Sequence, residues 1–185
     1  MNLIKISLRL AIFILSGLRL TRCDNSSLRS DSVNAPKDER TTAYSIVRER
    51  EPDENGAATL ATIVRYYSMS ENLETVARLI STRDGFVSLL SLKQAAEKLG
   101  FSARTVKGTS CDALLYVPFP AIAHEQTQAE QKDKHPGHFI VIFDSDRTSV
   151  IVGNTSSGVI QKRRRNQFCQ TWTGYLLLLE PKQSR

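Results

Sequence analysis

An α+β fold is predicted by three observations: helical spacing of apolar residues runs from Asp53 to Gly100, β-rich runs dominate from Phe101 onward, and a polar turn joins two of those runs into a hairpin. From Asp53 to Tyr67 a polar turn ending in Asn55-Gly56 leads into a helix. Its apolar positions Leu60, Ile63, Val64 and Tyr67 share one face, which is expected to be buried. The turn therefore sits at a helix N-terminus, where unpaired backbone N–H groups and the helix dipole favour an anion.

A second amphipathic helix follows, carried by Leu73, Val76, Ala77 and Ile80 with Ser70 as its candidate N-cap, and Arg83-Asp84-Gly85 breaks it. Ser88 precedes a third, with Leu89, Leu92, Ala95, Ala96 and Leu99 on one face and Gly100 as the left-handed cap. Phe101 to Lys107 then alternates as a strand does. Cys111 to Tyr116 reads as one short helical turn, and Pro118 and Pro120 bracket an extended entry into Ala121-Ile122-Ala123. His138 to Phe143, Ser149 to Val152 and Tyr175 to Leu179 are β-rich, with Asp144 to Arg147 as the hairpin turn. The polar stretch from His124 to Pro136 is expected to project as a loop that contacts a partner or is disordered.

The first 43 residues differ in kind. Lys5 and Arg9 precede a short apolar run, Leu10 to Leu18, which suits an export signal or weak anchor, a mis-assigned start or a plain amphipathic tail being the other readings. A bilayer-spanning helix needs roughly 20 apolar residues, more than this run offers. The expected organisation is a signal or anchor segment over 1–22, a polar linker over 23–43, one domain over 44–181 and a tail over 182–185. The chain's 185 residues, 41% hydrophobic and 24% charged, suffice for one packed core. The net charge of +6 does not indicate nucleic-acid binding, because residues 1–43 carry seven Lys/Arg against four Asp/Glu, half of the excess. Lys162-Arg163-Arg164-Arg165 is read as the solvated start of a helix before Phe168 and Trp172; a grip on phosphate or anionic lipid is the other reading.

Asp-Glu-Asn-Gly-Ala-Ala-Thr-Leu-Ala-Thr-Ile-Val-Arg-Tyr-Tyr (53–67) resembles the Asp-Cys-Gly-x-Ala-x-Leu-Ala signature, ending in Tyr-Tyr, of the bacteriocin-processing peptidase domain, a papain-like cysteine peptidase family. The similarity continues through Leu92–Gly100, Pro120–His124, Gly137–Phe143 and Trp172–Leu179 in the family's order, so it covers residues 45–180. The resemblance implies a papain-like fold, with N-terminal helices on a C-terminal antiparallel sheet. It also implies cleavage of leader peptides after a double glycine beside an ABC transporter.

In the family a cysteine attacks the peptide carbonyl, a histidine deprotonates it, an aspartate orients the imidazole, and a glutamine upstream donates to the oxyanion. Carried onto this chain, those positions are Asn55, His138 in Gly137-His138-Phe139-Ile140-Val141, Asn154 in Gly153-Asn154-Thr155, and Glu49. Only the histidine is retained. A carboxamide nitrogen is no nucleophile, and a carboxylate at Glu49 repels an oxyanion, so the site is expected to be inactive. Relatives lacking the cysteine hold secretion substrates, which implies a peptide-binding, export-associated module exported or attached through its N-terminus, and otherwise cytoplasmic. The alternative is a working cysteine peptidase using another nucleophile such as Cys111.

Each of these residues also has a plain reading. Asn55 suits a turn or N-cap, His138 a strand end, and Asn154-Thr155-Ser156-Ser157-Gly158 a turn. Cys23, Cys111 and Cys169 lack CxxC spacing and are read as free buried thiols, with a Cys111–Cys169 bond as the other reading if the chain is exported. His124, His135 and His138 lie close together, but Pro136-Gly137 precludes the helical face of an HExxH site, so neither metal nor cofactor is assigned.

Overall fold

The computed structural model describes residues 39–83 and 86–182, which belong to one compact unit. The segment 1–22 and most of the linker lie outside the described residues. In chain order the elements are α1 (Glu39–Thr42), α2 (Asn55–Tyr66), α3 (Leu73–Leu79), β1 (Thr82–Arg83), β2 (Phe86–Val87), α4 (Leu89–Lys98), β3 (Phe101–Lys107), β4 (Ala121–Glu125), α5 (Gln128–Lys132), β5 (His138–Ser145), β6 (Ser149–Asn154), β7 (Val159–Arg164), α6 (Arg165–Phe168) and β8 (Trp172–Pro181), with 3₁₀ turns at Pro52–Glu54 and Cys111–Leu115. Strands β3-β8-β4-β5-β6-β7 form one antiparallel sheet, and β1 and β2 pair separately.

Both faces of this sheet are covered. On one face Phe139, Val141, Phe143, Ile151, Ile122 and Leu177 pack with Leu60, Ile63 and Val64 of α2 and Leu92, Ala95 and Ala96 of α4. On the other, Ile140, Ile142, Val150, Val152, Leu176 and Leu178 pack with Leu114, Phe168 and Trp172. This arrangement makes β5 apolar at every position from Phe139 to Phe143, because alternate side chains enter different cores.

Helix α2 is buried more deeply than a single apolar face requires: every residue from Gly56 to Val64 is buried. Small side chains permit this. A Cβ at Gly56 would lie 2.7 Å from Val87 Cγ1, so the close approach of β2 depends on glycine. The buried hydroxyls of Thr59 and Thr62 return to the carbonyls of Asn55 and Ala58 at 2.7 and 2.8 Å, so neither hydroxyl proton is left without an acceptor.

The caps follow local chemistry. Ser88 accepts from Ser91 N at 3.0 Å, and Gly100 ends α4 with φ +90°, as its sequence indicates. The cap of α3 is Asn72 and not Ser70: Asn72 Oδ1 accepts from Thr75 N at 3.0 Å. The stretch His124–Pro136 is more ordered than a projecting loop. β4 runs through His124 to Glu125, and Thr127 and Glu130 form a reciprocal capping box that starts α5. Residues Lys162–Arg164 belong to β7, a strand the sequence reading lacked, and α6 starts only at Arg165. Charged side chains on this outermost strand discourage pairing with another chain. Among the described residues no helix is long and apolar enough to cross a membrane.

Candidate functional site

The polar turn before α2 is held shut by a local ion pair. The Glu54 carboxylate accepts from Arg50 N at 2.8 Å and from its guanidinium, hydrogen bonds that hold this acid below the usual carboxylate range. Asn55 follows as the first residue of α2, and its side chain reaches across to the sheet. Oδ1 accepts the Phe139 N–H at 2.7 Å, and Nδ2 donates to the Phe139 carbonyl at 3.0 Å. The same nitrogen lies 3.0 Å from Thr155 Oγ1 and 3.3 Å from Glu49 Oε2. Both ends of the amide are therefore engaged, and its orientation is fixed because the Phe139 N–H needs an acceptor.

Glu49 closes the ring. Its Oε2 accepts from Thr155 Oγ1 at 3.1 Å, its Oε1 accepts from Ser156 Oγ, and its own N–H donates to the Thr155 carbonyl at 3.1 Å. Asn55 and Glu49, both singled out from sequence, are thus brought together. Their companions Thr155 and the Phe139 backbone were not foreseen.

His138 and Asn154 make other contacts. The His138 ring lies 3.7 Å from Glu125 Oε2 through Nε2 and 3.9 Å from Glu130 Oε1 through Nδ1. Glu125 is 3% exposed and takes Arg163 Nη1 on both carboxylate oxygens at 2.9 Å; Arg163 in turn lies over the Phe168 ring. This group sits with Ile140 and Ile142 on the face away from α2. Asn154 Oδ1 accepts from Ser157 N at 3.1 Å and shapes the turn. Among the described residues no hydrogen bond joins Asn55 to His138 or His138 to Asn154. In each case it is the residue that follows, Phe139 in β5 or Thr155 in the turn after β6, that meets Asn55.

A different imidazole stands beside Asn55. His124 Nε2 lies 2.7 Å from the Pro136 carbonyl and so donates to it, while Nδ1 lies 3.0 Å from Thr173 Oγ1. Burial pushes its pKa below the ordinary value, so the ring is neutral at neutral pH. It packs edge-on against Phe139, with ring centroids 5.3 Å apart. A cleft of about 280 Å³ lined by Pro52, Asn55, Gly56, Val87, His124 and Phe139 opens here. It adjoins an apolar groove of about 600 Å³ through the shared Val87, His124 and Phe139, and Leu90, Val106 and Tyr175 extend that groove. His138 lines neither.

Cys111 and Cys169 are bonded to each other, with Cα atoms 5.9 Å apart, so the reading of free thiols is corrected. A sulfur in a disulfide is no thiolate, which removes Cys111 as a nucleophile in this state.

Residues 43–184 match the family described as the Peptidase C39 family. The chain is 31% identical over 134 residues to the lactococcin transport/processing ATP-binding protein LcnC-like of Lactococcus lactis subsp. lactis (strain IL1403), covering 70% of this chain and 18% of that protein. It is 28% identical over 138 residues to the lactococcin-G-processing and transport ATP-binding protein LagD of Lactococcus lactis subsp. lactis, covering 74% of this chain and 19% of that protein. The chain thus spans about a fifth of the length of these curated relatives. Its fold is shared with the peptidase domain of Streptococcus ComA, a bifunctional ABC transporter (TM-score 0.66, 24% identity, 75% of this chain and 99% of that one). It is also shared with a double-glycine-motif protease from an AMS/PCAT transporter, solved with its leader peptide (TM-score 0.64, 23% identity, 74% and 91%). With more than half its length matched in this way, the chain belongs to the Peptidase C39 family.

Proposed function

We propose that this chain is a binding member of its family, which holds a double-glycine leader peptide beside an ABC transporter or another export component and does not cut it. The observation that carries the reading is the state of Asn55. It occupies the nucleophile position of the resemblance, carries no nucleophilic atom, and has both ends of its amide hydrogen-bonded. At Glu49, where the family has an oxyanion donor, a carboxylate that itself accepts hydrogen bonds opposes negative charge on a substrate oxygen. The His138 ring, near Glu125 and Glu130, stands apart from the cleft in which Asn55 opens.

Binding needs none of these groups. The apolar groove beside the cleft offers Leu90, Val106 and Tyr175 to apolar leader side chains, while the narrower cleft over Gly56 suits a backbone without side chains. The Cys111–Cys169 bond supports a working place in an oxidising compartment, in line with the export or anchor reading of residues 1–22.

The test is fluorescence anisotropy with a labelled synthetic leader ending in Gly-Gly. Saturable binding is expected, and Leu90→Glu or Val106→Glu is expected to weaken it by about tenfold or more, since a charge is set into an apolar contact. Absence of saturable binding contradicts the proposal.

A further inference from the structure

A second concave site lies at the corner where β6, β7 and α6 meet. Ser149 of β6 pairs with Arg164 of β7, which sets the turn Asp146–Thr148 beside the start of α6, and Arg165 N donates to the Thr148 carbonyl at 2.9 Å. The resulting hollow of about 670 Å³ is lined by Arg147, Thr148, Arg164, Arg165 and Asn166, with the Cys111–Cys169 bond as its wall.

Its electrostatics are unbalanced. The side chains of Arg147 and Arg164 are exposed and have no partner among the described residues. Arg165 Nη2 pairs with Asp112, but its Nη1 is buried without an acceptor. A buried guanidinium proton with nothing to bond is costly, and such donors are ordinarily satisfied. Asp146 is the other nearby acid, and its carboxylate already accepts from Thr148 and Ser149 at 2.7 to 2.9 Å. Three guanidinium groups therefore face one hollow with one paired acid and one acid occupied by its own turn.

We infer that this corner binds a phosphate-type anion, either free phosphate or the phosphate of a lipid headgroup. A guanidinium fork matches the spacing of two phosphate oxygens, the exposed Arg147 and Arg164 give up no other ion pair to bind one, and the Asn166 amide adds a neutral donor. The hollow exceeds what inorganic phosphate fills and leaves room for an attached group. No residue of the cleft around Asn55 takes part.

The test uses the full-length oxidised chain at physiological salt. Inorganic phosphate is titrated by calorimetry, and flotation is measured with phosphatidylcholine vesicles with and without phosphatidylglycerol. At least one probe is expected to bind saturably. The Arg147→Gln/Arg164→Gln double variant should lose about tenfold or more in affinity, as expected for removal of charge-assisted hydrogen bonds. Both residues are exposed, so its melting temperature should not change. Lys98→Gln/Arg104→Gln removes the same charge elsewhere and should leave binding unchanged. Binding of phosphate alone assigns the free ion; binding of phosphatidylglycerol vesicles alone assigns the headgroup. The inference is overturned if neither probe binds, if the arginine variant binds like the wild type, or if both double variants lose affinity equally.

Discussion

The two faces of the central sheet solve the same problem, burying polar groups, in opposite ways. On the α2 face the buried polar atoms are mostly neutral and fully engaged: the Asn55 amide, the Thr155 hydroxyl and the Phe139 backbone satisfy one another, with Glu49 at the rim. On the far face a buried carboxylate, Glu125, is paired with the part-buried guanidinium of Arg163, with Thr171 donating to the same carboxylate and the His138 ring alongside. Adjacent residues of one strand serve both arrangements, since Phe139 feeds the first and His138 the second. The difference teaches that a motif read along the chain does not say on which side of a sheet its side chains act.

The comparison is broken most severely on the far face. Glu125→Ala leaves the part-buried Arg163 without its carboxylate partner and should cost about 3 kcal/mol, the low end for a fully buried pair because Arg163 keeps some contact with water. Chemical denaturation should show it, and a loss of under ~1 kcal/mol would mean the pair is open to water. Next comes the Cys111–Cys169 bond, which joins segments 58 residues apart. Cys169→Ser should cost about 2–4 kcal/mol by freeing the unfolded chain, and the wild type should lose a similar amount when reduced. On the α2 face, Asn55→Ala leaves the Phe139 N–H without its acceptor and should cost about 1–3 kcal/mol. Equal losses for Asn55→Ala and Glu125→Ala would erase the contrast between the faces.

The smallest expected effect is a pH dependence. Burial lowers the His124 pKa in the folded chain, so the unfolded chain takes up the proton more readily. As pH falls from about 6.5 toward the folded value, this residue therefore subtracts stability, while above 6.5 its contribution is flat. Thermal melts of wild type and His124→Gln across that window should diverge, the wild type having the steeper fall. Parallel curves would mean that the ring takes up its proton as readily in the folded chain as in the unfolded one.

Much of this organisation was legible in the sequence. The helices carried by Leu60 and Leu92, the Ser88 cap, Gly100 and the succession of helices and then strands follow from periodicity and capping chemistry, and the 53–67 motif pointed to the family. The phase of β5 was not legible. Ile140 and Ile142 are as apolar as Phe139 and Val141, so a strand buried on both faces leaves no alternation to show where His138 lies. β7 was hidden for the opposite reason: Gln161 to Arg164 carry edge-strand charges that resemble a solvated helix start. Glu125 had a signal, a lone acid two residues beyond the apolar run Ala121-Ile122-Ala123, which calls for a cation beside it. The pairing of Cys111 with Cys169 depends on tertiary distance, which spacing along the chain does not carry.

The central claim is that the cleft around Asn55 binds a leader without cutting it. The direct measurement is mass spectrometry of a double-glycine leader peptide incubated with the wild-type chain and with Asn55→Cys, at a concentration where anisotropy shows it bound. The account predicts intact peptide with both proteins, because on the proposed reading position 55 supplies no attacking atom in the wild type and the His138 ring, which lies toward Glu125 and Glu130, is not at hand to activate a cysteine there. Cleavage after the second glycine by the wild type would contradict it.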